Sequence, residues 1–533
     1  MIGRVIGGHH DRPPHTRPCG RGTALPSPIV VRPDPRNYPM SDKAASAGQS
    51  ARTQRYDGPL ELLINGEWTQ AEDTQTFVVD DPSSGQAVAT MADASVADAL
   101  TALDHAVDAQ KAWGALAAGP RQRLLRQAAD NVEAAGAELA ATMALEAGKP
   151  LPEAHGEVGA SVAYIRWYVD QIGHTPGHLA RSLNGEWDMQ TVYRPVGPCL
   201  LISPWNFPLL VAARKLAAAL AAGCTALVKP AGLTPLTSAV LVRCFVEAGL
   251  PAGVIGFLPT TRDADISEAL MADARLRKVS FTGSTRVGSI LMRQAATHVQ
   301  GSQMELGGNG PLIVLDDADL DLAVEQTMIA KFRNAGQVCI GANRLILQDS
   351  IADEFLEKFV KAASNLAPGS PFEKGTTMGP LISSAQRDRA VSIIRQFVAA
   401  GGEVLYGGSA LERPGHFMEP TVITGVGVEC ELAGEELFAP IAVAYRVADD
   451  RAATDFANAV DHGLSAYVFS GDLGRALQVA DEVEAGMVAI NRALYTDPSG
   501  PFGGVKASGM GREGGHEAIY EFLESKLIAA RLH

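Results

Sequence analysis

From residue 199 onward, short runs rich in β-branched and aliphatic residues alternate with helical patterns, at 199–203, 212–222, 225–229, 236–248, 254–258, 278–282 and 285–297. A chain written this way has few folds open to it. Strand, helix and strand in one sheet close right-handed, so the alternation predicts parallel strands covered on both faces by helices, an α/β class. A second alternating series runs over 312–490. The 533 residues exceed the size at which one core keeps growing, so two or three units sharing an extensive interior are expected.

Before the alternation begins, residues 60–68 read as strand around an Asn65-Gly66 turn, and a turn cluster follows at 80–85. Ser95 is an N-cap for a helix over 96–113, Pro120 opens one over 121–135, and 153–172 carries Ala163, Tyr164 and Trp167 at helical spacing. Residues 187–195 are extended, and 524–531 adds a late strand. Residues 1–55 mix Arg, Pro, His, Gly and Ser with almost no aromatic side chains, and are expected to be disordered. They are either a processed targeting arm or an extension upstream of a start at Met40. The Pro-broken pattern, without an amphipathic Arg/Ser helix, favours the start at Met40.

With 60 acidic against 45 basic side chains, the net charge of −15 offers no general attraction to nucleic acid or to an anionic membrane. No apolar run approaches the ~20 residues of a membrane span, and no secretory signal is visible. The six cysteines are scattered without Cys-x-x-Cys pairs or Cys/His clusters, which points to a reducing, cytoplasmic setting and to no metal site.

Three segments carry chemistry. In Phe332-Arg333-Asn334-Ala335-Gly336-Gln337-Val338-Cys339-Ile340 a cysteine follows a Gly-containing break, at the expected start of a helix, where backbone N–H groups favour a thiolate. Read alone, Cys339 is better explained by an inert buried thiol. Glu305 stands in the apolar, Gly-rich run Gln303-Met304-Glu305-Leu306-Gly307-Gly308-Asn309, either a water-activating base with a raised pKa or a loop acid. Asn206, in Ser203-Pro204-Trp205-Asn206-Phe207-Pro208, offers an amide to an oxyanion or makes an ordinary Asx turn. Gly509-Met510-Gly511-Arg512-Glu513-Gly514 satisfies a dinucleotide pattern, but it follows no clear strand and too little chain remains for a βαβ unit.

Taken together these segments resemble the aldehyde dehydrogenase superfamily. Besides Pro204-Trp205-Asn206-Phe207-Pro208 the motifs are Lys229-Pro230, Phe281-Thr282-Gly283-Ser284-Thr285, Glu305-Leu306-Gly307-Gly308-Asn309, Gly336-Gln337-Val338-Cys339, Glu436-Leu437-Phe438-Ala439-Pro440 and Pro501-Phe502-Gly503-Gly504-Val505-Lys506, all in the family's order. The resemblance implies Cys339 as nucleophile, Glu305 as general base, and Asn206 with the Cys339 N–H as oxyanion hole. It implies a thioester intermediate, with NADP or NAD as cofactor and a small aldehyde as substrate. Trp205, Lys229, Gly283, Ser284, Glu436 and Phe438 would contact the cofactor. Without the resemblance, Lys229 and Glu436 read as surface ion pairs and Phe438 as core.

The implied architecture is a doubly wound cofactor domain (56–176 and 196–304), an α/β catalytic domain (305–505) and a small oligomerisation arm (177–195 and 515–533), assembled as a homodimer or homotetramer. Within the superfamily the runs 331–337 and 503–514 look most like succinate-semialdehyde dehydrogenases. Arg333 would pair with a distal carboxylate, its alternative being a structural salt bridge, and Thr496 would add a hydroxyl. The second carboxylate-binding arginine is expected just after the Trp167 helix, where Gly173 and His174 stand instead, and Asp497 would place an acid near the pocket. Where NAD-preferring members carry Glu, this chain has Gly232, which removes a repulsion of the 2′-phosphate, so that NADP is permitted and a preference for it is open; Gly232→Glu is expected to shift preference towards NAD. A CoA-acylating dehydrogenase would have less need of Glu305. A cysteine-dependent esterase would leave Lys229, Ser284 and Glu436 without purpose, and a non-enzymatic protein would not need the three chemical groups.

Overall fold

The computed structural model describes residues 56–531, so the expectations for 1–55 and for Met40 lie outside the described residues. An eight-stranded sheet runs Glu67–Thr69, Leu62–Ile64, Ile255–Phe257, Ala226–Lys229, Cys199–Ile202, Lys278–Thr282, Gly301–Glu305, Gly509–Met510. Its five central strands are parallel, and the outer ones join antiparallel. The central strands are almost wholly buried, as continuous apolar runs covered on both faces must be. From Cys199–Ile202 the chain builds outward through Ala226–Lys229 and Ile255–Phe257, then returns to lay Lys278–Thr282 on the other side. The strand order therefore reverses between Cys199–Ile202 and Lys278–Thr282. A crevice opens there beyond the carboxyl ends of both strands, where α/β sheets bind ligands.

The second sheet has seven strands in the order Glu403–Tyr406, Thr421–Thr424, Ile441–Val447, Ala342–Gln348, Gly310–Val314, Ser465–Phe469, Met487–Ile490. All neighbours are parallel except the Glu403–Tyr406 edge. A third, antiparallel sheet joins Leu523–Ala530, Asp188–Pro195 and His178–Arg181. Both its outer strands have an open edge.

Helix boundaries follow local chemistry. Ser95 caps Val96–Ala115 reciprocally with Asp98, as its position ahead of an apolar repeat requires. Pro120 lies inside the first turn of Ala118–Ala134 rather than before it, a position where its missing N–H costs nothing. Gly136–Ala147 follows after Ala135 alone and has no side-chain cap, so nothing in the sequence marks its start.

Candidate active site

Both large sheets contribute to one cavity of about 940 Å³. The loop after Cys199–Ile202 brings Trp205 and Asn206, the turn after Lys278–Thr282 brings Gly283 and Ser284, and Glu305 ends its strand at the wall. From the second sheet's side come Arg333, Cys339, Glu436, Phe438 and Thr496. Ten of the residues singled out by sequence thus line a single space. Lys229 and Gly232 do not; they stand beside it, at the carboxyl end of Ala226–Lys229.

Cys339 does not begin a helix, contrary to expectation. The helix Leu320–Phe332 ends in a tight turn, Arg333–Gly336, and Cys339 sits in an irregular loop just before the strand Ala342–Gln348. Three successive residues, Asn334, Ala335 and Gly336, take left-handed backbone angles, which reverse the chain. At Gly336 a Cβ would lie 2.2 Å from the Ala439 carbonyl oxygen, so glycine is required. Without a helix dipole, burial dominates and pushes the thiol up to about 12, opposed by Arg214 and by the Ile340 N–H, and reinforced by Glu436 and Glu305. Among the described residues the Cys339 N–H has no backbone acceptor.

Asn206 is buried and held from both sides. Its carbonyl accepts from Lys149 Nζ at 3.1 Å and Asn334 Nδ2 at 3.0 Å, and its own Nδ2 donates to the Gln337 carbonyl at 3.0 Å. Lys149 pairs with Glu157, whose other oxygen accepts the Leu209 and Leu210 N–H groups. A buried ion pair therefore clamps the loop on which the amide stands. One Nδ2 proton is committed and the second is free for the cavity.

Glu305 is 2% exposed, and neither carboxyl oxygen has a hydrogen-bond partner among the described residues. Burial and then the Glu513 carboxylate hold it well above the ordinary carboxylate range, against Lys215, Arg214 and Arg512. Burial would raise Glu513 too, but Lys215 at 2.9 Å and Arg214 at 3.0 Å outweigh it and keep that carboxyl low. Two adjacent buried acids are thus pushed apart. Glu513 belongs to the Gly-rich 509–514 run, whose glycines serve close backbone approach: a Cβ at Gly509 would lie 1.9 Å from the Met304 carbonyl oxygen.

The crevice fits a dinucleotide. Ser203 Oγ and Thr282 Oγ1, at the carboxyl ends flanking the strand reversal, are buried without hydrogen-bond partners among the described residues. Ser284 caps the helix Thr285–Ala296, leaving first-turn N–H groups for a diphosphate. Trp205 and Phe438 meet edge-to-face at 5.4 Å, and Phe438 holds a left-handed backbone rarely adopted by an aromatic residue. A Cβ on Gly307 would lie 2.9 Å from Glu436 Oε2, so the glycine makes room for that carboxyl. Glu436 accepts the Gly308 N–H at 3.0 Å, and burial pushes it up to about 7.

Towards the other end, the Arg333 guanidinium lies 5.5 Å from the Phe207 ring centroid and makes no ion pair among the described residues. Gly173 and His174 are exposed, and His174 turns to the Asp170 carbonyl. Two further arginines line the cavity: Arg214, on Leu210–Ala222, with its guanidinium 4.3 Å from the Phe502 ring centroid, and Arg389, which donates to the Glu436 and Leu437 carbonyls. The available signal was two consecutive cations, Arg214-Lys215, in an otherwise apolar helix. Asp497 is turned into its own loop, accepting from the Ser499 N–H at 2.9 Å, and faces a separate small cavity, so it puts no acid beside Arg333.

Comparison with known proteins places these features in a group. A model of the aldehyde dehydrogenase family matches residues 68–528. A succinate-semialdehyde dehydrogenase of Paenarthrobacter nicotinovorans is 44% identical over 441 residues, covering 83% of this chain and 98% of the relative. A 3-sulfolactaldehyde dehydrogenase of Pseudomonas putida is 39% identical over 472 residues, 88% and 96% of the two chains. The crystal structure of a succinate-semialdehyde dehydrogenase from Burkholderia pseudomallei superposes with a TM-score of 0.88 at 37% identity, covering 91% of this chain and all of that one.

Proposed function

Because this chain belongs to the aldehyde dehydrogenase family and is an NAD(P)-dependent oxidoreductase acting on an aldehyde, we propose that its substrate is succinate semialdehyde and that Arg333, Arg214 and Thr496 hold the distal carboxylate. The observation that carries this reading is a guanidinium, Arg333, lining the nucleophile's cavity without an ion pair among the described residues, although the buried Glu153 carboxylate on the same wall lies within its electrostatic reach. Such a group, partly desolvated, gains most from an anion that brings a matching pair of oxygens.

The proposed chemistry follows from the residues. Cys339 gives up its proton to water in the cavity, its sulfur forms a bond to the aldehyde carbon, and the carbonyl π pair moves onto the oxygen, which gains negative charge. The spare Asn206 Nδ2 proton and the Cys339 N–H stabilise that charge where it develops. Trp205, Phe438 and Glu436 would hold a nicotinamide, which when bound would supply the acceptor for the hydride lost as the thioester forms. Glu305, its basicity raised by burial, then removes a proton from water, which attacks the thioester carbon. The carbon–sulfur bond breaks, the acid departs and the thiol is restored. Because Glu305 stands free in the cavity, water rather than CoA is the proposed acceptor of the acyl group.

Lys229 would meet the adenosine ribose, and Gly283 with Ser284 the diphosphate. The first sheet and its helices would hold the cofactor, and the second would hold the thiol. The antiparallel arm would join copies into a homodimer or homotetramer. No helix among the described residues is long and apolar enough to cross a membrane, and the five cysteines among those residues, all free, suit a reducing cytoplasm.

The test is a panel of succinate semialdehyde, glutarate semialdehyde, 3-sulfolactaldehyde and uncharged aldehydes of matched length, with both cofactors, on the wild type and Arg333→Ala. Succinate semialdehyde is expected to have the highest kcat/KM, and Arg333→Ala to lose about 10- to 100-fold with it, as removal of a charged hydrogen bond of ~1.5–3 kcal/mol implies. Preference for uncharged aldehydes, unaltered in the variant, removes the semialdehyde assignment.

A further inference from the structure

The wall next to Lys229 bears on which nicotinamide cofactor is taken. Gly232 has no carboxylate to turn a 2′-phosphate away, and on that ground alone NADP is admitted. The fold brings another acid to the spot. Lys229 ends its strand, and its ammonium, 4% exposed, ion-pairs with the carboxylate of Asp263, which is 63% exposed. Asp263 arrives from the adjacent strand: Ile255–Phe257 pairs with Ala226–Lys229, and the chain turns through Leu258–Arg262 into the helix Asp263–Met271.

That turn is built to hold its place. Asp93 accepts from Thr260 Oγ1 at 2.8 Å, the Thr261 N–H at 2.9 Å and Thr261 Oγ1 at 2.6 Å. Arg262 is tied to Asp73 at 2.6 Å and lies 3.7 Å from Asp93. Gly232 packs against this turn, and a Cβ there would lie 3.0 Å from the Thr260 carbonyl oxygen. A glutamate at 232 would crowd the segment that already supplies an acid.

We propose that Asp263 is the specificity-determining carboxylate of the adenosine end, making this enzyme select NAD over NADP. This rests on the reading of Lys229 as the ribose-facing lysine. Any group that Lys229 binds lies within a few ångströms of the Asp263 carboxylate. Ribose hydroxyls are donors and can satisfy it, whereas a 2′-phosphate, with about 1.5–2 negative charges, is repelled. Lys229 and Arg262, the two cations of this wall, are both already matched by carboxylates, and Asp265 adds a further acid in the first turn of the helix. A phosphate would have to displace Asp263 to gain Lys229.

The experiment measures binding without turnover. Titration calorimetry of the full-length enzyme is run with NAD, NADP, 5′-ADP and 2′,5′-ADP, on the wild type, Asp263→Asn and Asp263→Glu, with thermal melts to check folding. The wild type is expected to bind NAD at least about ten-fold more tightly than NADP, and 5′-ADP more tightly than 2′,5′-ADP by a similar factor. Asp263→Asn should shrink both ratios at least about ten-fold, mainly by tightening the phosphorylated ligand, while Asp263→Glu should preserve their direction. Wild-type affinity for NADP equal to or above that for NAD, or ratios unmoved in Asp263→Asn, overturns the role of Asp263 and leaves the dehydrogenase reading intact. Failure of every adenosine ligand to bind brings down both.

Discussion

A half-buried thiol and a buried carboxyl group, each with its proton affinity raised by desolvation, define what the catalytic residues can do. Since burial pushes Cys339 up to about 12, its thiolate fraction in the cofactor-free enzyme should grow about tenfold per pH unit between pH 7 and 9, and with it the rate of alkylation by iodoacetamide. A rate flat across that range would mean that burial does not control the thiol. Glu305→Gln removes the base for the second half of the reaction and keeps the side-chain volume. It should leave a first-turnover burst of reduced cofactor while lowering steady-state turnover by about 10²- to 10⁴-fold, which stopped-flow absorbance resolves. Cys339, Glu305 and Asn206 stood out in the sequence as lone reactive side chains in Gly-rich or apolar runs, but read singly each had a bland alternative as good or better; only the set of motifs drew them together, and the fold brings all three to one cavity. Arg214, Lys215 and Glu513 did not stand out, because a cation inside an alanine-rich helix and an acid inside a glycine run acquire meaning only where the two meet, at 2.9 to 3.0 Å.

Helices that border the site are held at their amino ends by acids from other helices. Glu146, from Gly136–Ala147, is fully buried and accepts the Leu236 and Thr237 N–H groups, both at 2.8 Å, at the start of Pro235–Glu247. Glu157, from Leu151–Gln171, does the same for the start of Leu210–Ala222. Remote carboxylates thus replace the missing local caps. Glu146→Ala should destabilise the enzyme by about 1–3 kcal/mol through two orphaned N–H groups, read as a lower denaturant midpoint. Its pH dependence has a definite sign. Burial raises Glu146 from 4.5 to about 7, so folding takes up a proton in that window and the stability this group lends falls as pH rises through it. The variant should lose one proton from that slope. Helices with a local signal were readable from sequence, as Ser95 with Asp98 was. Gly136–Ala147 was not, since its reason for existing is the carboxylate it delivers to a helix far along the chain.

Across the whole molecule the alternation of strands and helices was readable and the antiparallel arm was readable only in part. Strand character is local, but the pairing of Leu523–Ala530 with Asp188–Pro195 joins segments that lie before and after the parallel strands of both large sheets, and no short-range pattern encodes such a partner. The arm is also the least self-sufficient part of the fold. Leu179 is 81% exposed, Leu527 61% and Ile528 40%, and among the described residues the outer edges of both outer strands have no strand neighbour. Exposed apolar side chains beside unpaired ladder groups favour a further strand, and a second copy of the chain supplies one with matching register. If the arm is the proposed interface, Leu527→Asp together with Leu179→Asp should shift the enzyme towards monomer in sedimentation velocity, with the far-ultraviolet circular dichroism kept. The cavity lies in the body of the fold and takes no lining residue from the three arm strands, so calorimetric NAD affinity should hold within about two-fold in the same variant. A double variant that remains fully assembled would place the contacts between copies on another face.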